Sequence, residues 1–244
     1  MIRVQKNETP NLKRPKFSVD GKLDEKLDAF PLTSLMNKST FTCFLGRAGS
    51  GKTSLLTSFL KTPQMFHKVF HQIFVFMPPG SRSSMKDNFF DKHIAPQQLY
   101  DDLTYKNLMD CYEKVQKAAE DDETSLVIFD DVQKALRDNS IRKLFLSMVN
   151  NRRHGKLSMW IACQNYKSVE PSVRNGLTDI FIFKINKKEM ETIYDEHVEQ
   201  HQDKFMDILK YCFREPHSFM YINTGSQRIF SNWDELLLED DEEK

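Results

Sequence analysis

The chain has 244 residues, 39% of them hydrophobic, which is enough for one packed α/β domain with extensions. Its 35 Lys/Arg balance 35 Asp/Glu, so no molecule-wide positive field draws in nucleic acid and any such contact has to be local. Four cysteines lie far apart with no CxxC pair, no apolar run approaches the ~18 residues of a membrane span, and the charged N-terminus has no signal-peptide core; together these weigh against zinc ribbons and secretion and predict a soluble, reduced, intracellular protein.

Residues 1–38 are polar and broken by Pro10, Pro15 and Pro31, with seven Lys/Arg against four acids up to residue 26. They read as an extension wrapped on the core rather than a nucleic-acid arm. From residue 40 short apolar runs predict buried strands at 41–45, 73–77, 125–129, 159–163 and 179–185. Helical stripes fall between them: Leu55, Leu56, Phe59 and Leu60 before Pro63; Leu108, Tyr112, Val115 and Ala119; and Ile141, Leu144, Phe145, Met148 and Val149 behind a cap from Asp138, Asn139 or Ser140. Strands alternating with helices imply parallel pairing through right-handed crossovers, hence three layers around one sheet. One or two helices follow residue 186, then a hairpin of 219–223 and 228–230 around Thr224-Gly225-Ser226. The expected division is an extension over 1–38, a catalytic domain over 39–231 and an acidic, solvated tail over 232–244.

The chemistry is concentrated at 46–53, GRAGSGKT, which satisfies G-x-x-x-x-G-K-[ST] at every fixed position between a strand and a helix. Phosphate oxygens need several donors converging without side chains in the way, and Gly46, Gly49 and Gly51 let the backbone turn its N–H groups inward. The positive end of the following helix adds to the site. Gly46, Arg47, Ala48, Gly49, Ser50, Gly51, Lys52, Thr53 and Ser54 are therefore the expected ATP-binding residues. Lys52 faces the β- and γ-phosphates and the Thr53 hydroxyl faces Mg²⁺. SLVIFDD at 125–131 is an apolar strand ending in two acids. Asp130 is the expected second metal residue, and Asp131 the one that orients and deprotonates the attacking water.

Two look-alikes fail. Asn186-Lys187-Lys188-Glu189 resembles a guanine-reading NKxD but ends in Glu, and Asp131-Val132-Gln133-Lys134 lacks the switch glycine of a GTPase. His197-Val198-Glu199-Gln200-His201 has its Glu at the wrong offset for HExxH and reads as a surface helix face.

The stretch SMWIACQNYKSVEPSVRNGLTDIFIF at 158–183, with NNRRHGK at 150–156 ahead of it, resembles the genome-packaging ATPases of nucleocytoplasmic large DNA viruses and virophages, within the FtsK–HerA superfamily of ring-forming DNA pumps. The resemblance covers roughly residues 40–185. It implies an α/β fold, a three-layer P-loop NTPase of ASCE/RecA-like type with a central, mostly parallel sheet. It implies that Gln164 is the polar sensor of the γ-phosphate or water. Arg152 or Arg153 would be an arginine finger reaching the neighbouring subunit's nucleotide, with Arg174 a second finger or sensor candidate. Cations before Gly155 are also how an ordinary helix stops. The superfamily commonly carries glutamate where this chain has Asp131.

The reading is an ATP-hydrolysing motor, with ATP and Mg²⁺ as cofactors, that acts as a homo-oligomeric ring and drives double-stranded DNA into a viral capsid. Its expected partners are the genome and capsid or inner-membrane-associated viral proteins, and its expected places the host cytoplasm at the virus factory and the virion. The loop Gly80-Ser81-Arg82-Ser83-Ser84-Met85-Lys86 is either a DNA-backbone contact in the pore or a plain surface loop. The alternatives are a small-molecule or nucleoside kinase, and a nucleotide-dependent capsid-assembly scaffold; the paired Asp130-Asp131 favours water as acceptor.

Overall fold

A computed structural model describes residues 2–5, 36, 39–83, 88–198 and 204–238. In chain order these form β1 (Ile2–Gln5), β2 (Phe41–Leu45), α1 (Lys52–Lys61), β3 (Gln72–Phe76), α2 (Pro79–Ser83), α3 (Phe89–His93), β4 (Leu99–Tyr100), α4 (Tyr105–Glu120), β5 (Ser125–Asp130), α5 (Asn139–Asn151), β6 (Leu157–Cys163), α6 (Pro171–Arg174), β7 (Asp179–Phe183), α7 (Lys187–His197), α8 (Phe205–Cys212), β8 (Phe219–Asn223), β9 (Arg228–Ser231) and β10 (Asp234–Leu238). Short 3-10 turns interrupt the loops, the most important at Gln133–Arg137.

The strands make one sheet in the order β1-β10-β9-β8-β7-β2-β6-β5-β3-β4. The six from β7 to β4 are parallel. The remaining four add an antiparallel wing on the β7 side. Every residue of the central strands β2, β5, β6 and β7 is buried, as expected where helices cover both faces.

The alternation of strand side chains separates two cores. Cys43, Leu45, Val127, Phe129, Met159 and Ile161 point to the face covered by α4, α5, α7 and α8. Phe44, Leu126, Ile128, Trp160 and Phe181 point to the other face, covered by α1 and α3. Phe59 on α1 is the hub of this second core. Its ring lies 5.6 Å from Phe44, 5.9 Å from Trp160, 5.2 Å from Phe181 and 6.0 Å from Trp233, mostly edge to face. Phe59→Ala is expected to cost about 3–5 kcal/mol of unfolding free energy in a denaturant titration. A loss below about 1 kcal/mol there contradicts this packing account.

Two expectations change. The tail expected over 232–244 does not hold for Asp234–Leu238, which is strand β10, paired with β9 and β1. Its Glu235 is not solvated: it is held bidentately by Arg228 and is buried, as is Leu236. Residues 239–244 lie outside the described residues, as do 6–35 of the expected extension, whereas Ile2–Gln5 is strand β1. The segment expected as the loop 80–86 opens instead as helix α2. Its Arg82 pairs with Asp101 and Asp91, and Ser84–Lys86 lie outside the described residues.

Candidate active site

Three central strands finish level. In the pairing register Leu45 stands opposite Cys163, and Asp130 opposite Ala162. The next residue of each strand is Gly46, Gln164 and Asp131, so one rim of the sheet carries the phosphate loop, the expected sensor and the second acid. Backbone bonds fix this rim: Gly46 N donates to Cys163 O at 3.2 Å and Asp131 N to Ala162 O at 3.3 Å. Ligand sites of open α/β sheets form at such strand ends.

The loop is shaped by its glycines. Gly49 and Gly51 have φ of 73° and 109°, the left-handed region that side chains resist. A Cβ on Gly46 would lie 2.8 Å from Phe183 Cβ and 2.5 Å from Ser50 Oγ, so only glycine lets the loop pass this close to β7. The start of α1 has no side-chain cap and no acid in its first turn. Thr104, Asp138 and Asn186, by contrast, cap α4, α5 and α7 with their side chains. The leading N–H groups of α1 are thus left for an anion.

A cavity of about 160 Å³ opens here, lined by Ala48, Gly49, Lys52, Thr53, Ser81, Asp130, Asp131, Ala162 and Gln164. Lys52 is buried, with Nζ donating to Gly46 O at 2.7 Å and Arg47 O at 3.0 Å. Burial pulls its ammonium below the usual lysine range, while the charges of Asp130 and Asp131 act the other way. Thr53 Oγ1 donates to Asp130 Oδ2 at 3.2 Å. Burial pushes the Asp130 carboxyl above its ordinary range, against the Thr53 bond and the Lys52 charge. One hydroxyl and one carboxylate, both hard oxygen donors at the cavity wall, suit Mg²⁺, which takes few protein ligands and completes its shell with phosphates and water. Asp131 is exposed and sits at φ 56°, a left-handed conformation that aspartate tolerates better than most residues. Gln164 Nε2 donates to its Oδ1 at 3.4 Å.

Of the expected site residues, Ala48, Gly49, Lys52, Thr53, Asp130, Asp131 and Gln164 line this one cavity; Gly46, Arg47, Ser50, Gly51 and Ser54 shape the loop and the start of α1 around it. Arg152 and Arg153 do not join it. They lie before β6, and a seven-residue strand separates them from Gln164 by about 20 Å. Arg152 is engaged within its own chain, Nε on Ser39 O at 3.0 Å and Nη1 on Val149 O at 2.7 Å, whereas Arg153 is exposed. Arg174, the second finger candidate, is buried: it stacks 4.5 Å over the Tyr166 ring and pairs with Glu196 at 3.1 Å. A guanidinium held inside the fold cannot reach a neighbour.

Both look-alikes turn out to be structural. Asn186 caps α7 through the Glu189 N–H, and Glu189 also accepts from Tyr166 N at 3.0 Å. His197 is no surface residue: it is buried with Nε2 2.6 Å from the Tyr166 hydroxyl, and burial lowers its pKa. Glu199 to His201 lie outside the described residues.

Sequence reasoning missed three residues here. Ser81 of α2 reaches the cavity because β3 ends at the same rim. His217, before β8, meets Ser50 O through Nδ1 at 3.1 Å. Gln133 Nε2 lies 3.4 Å from Asp131 Oδ1. Only the last had a signal, a polar residue two positions beyond the acid pair.

Residues 28–238 match the family model described as "Poxvirus A32 protein". No curated protein matches the chain in sequence. Among solved structures, the genome packaging NTPase B204 from Sulfolobus turreted icosahedral virus 2 in complex with AMPPCP is similar, with a TM-score of 0.57 and 16% identity over 83% of this chain and 100% of that one. B204, the DNA-packaging ATPase from Sulfolobus turreted icosahedral virus, gives 0.53 and 18% over 80% and 97%. EssC (ATPases 2 and 3) from Geobacillus thermodenitrificans gives 0.51 and 12% over 83% and 41%. At these identities the likeness is one of fold.

Proposed function

This chain belongs to the Poxvirus A32 protein family, and on that premise we propose that it is an ATPase whose hydrolysis drives double-stranded DNA into a viral capsid. The observation that carries the hydrolytic part is the acid pair opposite Lys52. Asp130 is buried against Thr53, where Mg²⁺ would be held, and Asp131 is exposed in the same cavity, where it can take a proton from water. The metal, when bound, would neutralise charge on the transferring phosphoryl group. Lys52 and the free N–H groups of α1 hold the phosphates, and Gln164 steadies Asp131 from the adjacent strand. Solved proteins of like fold are described as a genome packaging NTPase and a DNA-packaging ATPase, which supports DNA as the polymer. No helix among the described residues is long and apolar enough to cross a membrane. The capsid or inner-membrane-associated proteins of the virus are its docking partners, at the virus factory in the host cytoplasm and in the virion.

The motor acts as a ring. Arg152 and Arg153 lie about a strand's length from the phosphate loop of their own chain, so as fingers they act across a subunit boundary. Arg153 is the better placed, because Arg152 is tied to Ser39 and Val149.

Phosphate release measured with and without double-stranded DNA, alongside molecular mass in the presence of ATP, tests this. Turnover is expected to rise with DNA and with assembly, and Arg153→Ala to lower the stimulated rate by about 10³-fold. Full stimulated turnover in that variant removes the trans finger. Phosphorylated acceptor in place of inorganic phosphate makes the protein a kinase, and ATP-dependent oligomers without turnover make it a scaffold.

A further inference from the structure

Gln133 is 7% exposed, in the 3-10 turn Gln133–Arg137 that follows β5. Among the described residues its amide makes one hydrogen bond, Nε2 to Asp131 Oδ1 at 3.4 Å. Its Oε1 is buried with no hydrogen-bond partner among the described residues. Such an orphaned acceptor costs about 1–3 kcal/mol, so a fold that keeps it needs a reason other than stability. A carboxylate oxygen can only accept, so the amide must present its NH₂ to Asp131; the orientation follows from the chemistry.

The Asp131 oxygen that Gln133 faces is the same one that Gln164 faces. Both amides donate to Oδ1, from opposite sides in sequence and from the segments that follow the adjacent strands β5 and β6, each at 3.4 Å. Oδ2 accepts no hydrogen bond among the described residues, and Asp131 lines the cavity. The backbone of Asp131 is meanwhile held at φ 56° by its N–H on Ala162 O. Two amide contacts therefore face one carboxylate oxygen and leave the other available, while a backbone bond holds the main chain of Asp131.

We propose that Gln133 is a positioning residue of the hydrolytic site: with Gln164 it clamps Oδ1 of Asp131, so that Oδ2 faces the attacking water. The inference rests on the hydrolytic reading above. In the step it supports, water oxygen bonds to the γ-phosphorus, the bond to the bridging oxygen breaks with its electron pair leaving on ADP, and the water proton goes to Oδ2. The clamp also bears on the aspartate that stands where the resembled superfamily commonly carries glutamate. An aspartate has less reach than a glutamate, and a two-sided amide clamp limits its rotation.

Gln133→Leu keeps the volume and removes both the amide donor and the orphaned acceptor. A purely structural glutamine would lose stability and activity together. The clamp predicts a split: melting temperature unchanged or raised, ATP affinity unchanged, and kcat lower by about 10- to 100-fold. Gln133→Met, unbranched and of like size, repeats the test should the leucine fit poorly. In an Asp131→Ala background, Gln133→Leu is expected to cost nothing further, since the group it positions is gone. Unchanged kcat in both single variants overturns the proposal. So does a fall in kcat that follows a fall in melting temperature or ATP affinity, or a full additional loss in the double variant. Wild-type turnover that vanishes in Lys52→Ala keeps the hydrolytic reading standing whichever way Gln133 falls; absence of wild-type turnover removes both.

Discussion

Replacing Lys52 by alanine is expected to reduce ATP turnover by about 10²–10³-fold and to weaken nucleotide binding with it. The ammonium is the one side-chain cation on the cavity wall among the described residues, set between the loop carbonyls of Gly46 and Arg47 and the carboxylates of Asp130 and Asp131. Its removal takes charge from the phosphates in both ground and transition states, so KM and kcat suffer together. It also leaves two carbonyl oxygens of the loop without their donor, which loosens the backbone that must aim its N–H groups. Lys52→Arg is not expected to rescue, because a planar fork does not fit where a compact point charge sits. Equilibrium binding of a fluorescent ATP analogue and phosphate release read the two effects separately. Wild-type turnover in Lys52→Ala would remove the phosphate-site account altogether.

Asp130→Asn is expected to lower turnover by about 10²-fold or more while leaving the protein as stable as before, or more so, at neutral pH. The reason lies in the direction of its titration. Burial holds the Asp130 carboxyl above its ordinary 3.8, outweighing the Thr53 hydrogen bond and the Lys52 charge. A carboxyl whose folded pKa exceeds its unfolded one favours folding when protonated. That contribution is complete below the unfolded value and is lost as pH rises through the folded value. At neutral pH the ionised group therefore opposes folding, and asparagine relieves this while still accepting from Thr53. Urea midpoints from about pH 3 to 8 should show the variant gaining on the wild type as pH rises, with the advantage vanishing in acid. A pH-independent destabilisation of the variant would refute the burial argument.

The contrast between these two residues and the others shows which parts of the site the chain carries locally. GRAGSGKT is a local device: strand, loop and helix are contiguous, so the glycines and Lys52 carry their own context. Asp130, Asp131 and Gln164 were legible because apolar runs end at them, and strand ends in a parallel sheet share a rim. Ser81 and His217 reach the site through tertiary placement, which no spacing encodes, and Gln133 had as its signal only its place two positions beyond the acid pair. Charge was the least reliable guide. Arg174 and His197 look like surface or catalytic residues, yet both are buried in one cluster with Tyr166 and Glu196. Glu235 looked like the beginning of a solvated tail until Arg228 supplied its counter-charge across the hairpin. Strands β2 and β8 match the expected limits residue for residue, while β1, β4 and β10 were not foreseen, being short, polar or acidic.

The pairing of Ile2–Gln5 with Asp234–Leu238 bears on how self-association should be measured. β1 covers the outer edge of β10, five strand spacings, or about 24 Å, from β2 and its phosphate loop. A protein shortened by its first five residues would keep its nucleotide site and bare a row of unpaired N–H and C=O groups along β10. Such an edge recruits any other bare edge, ATP or no ATP. Particles formed by the shortened protein without nucleotide would be stitched sheet to sheet, and their mass would say nothing about a motor.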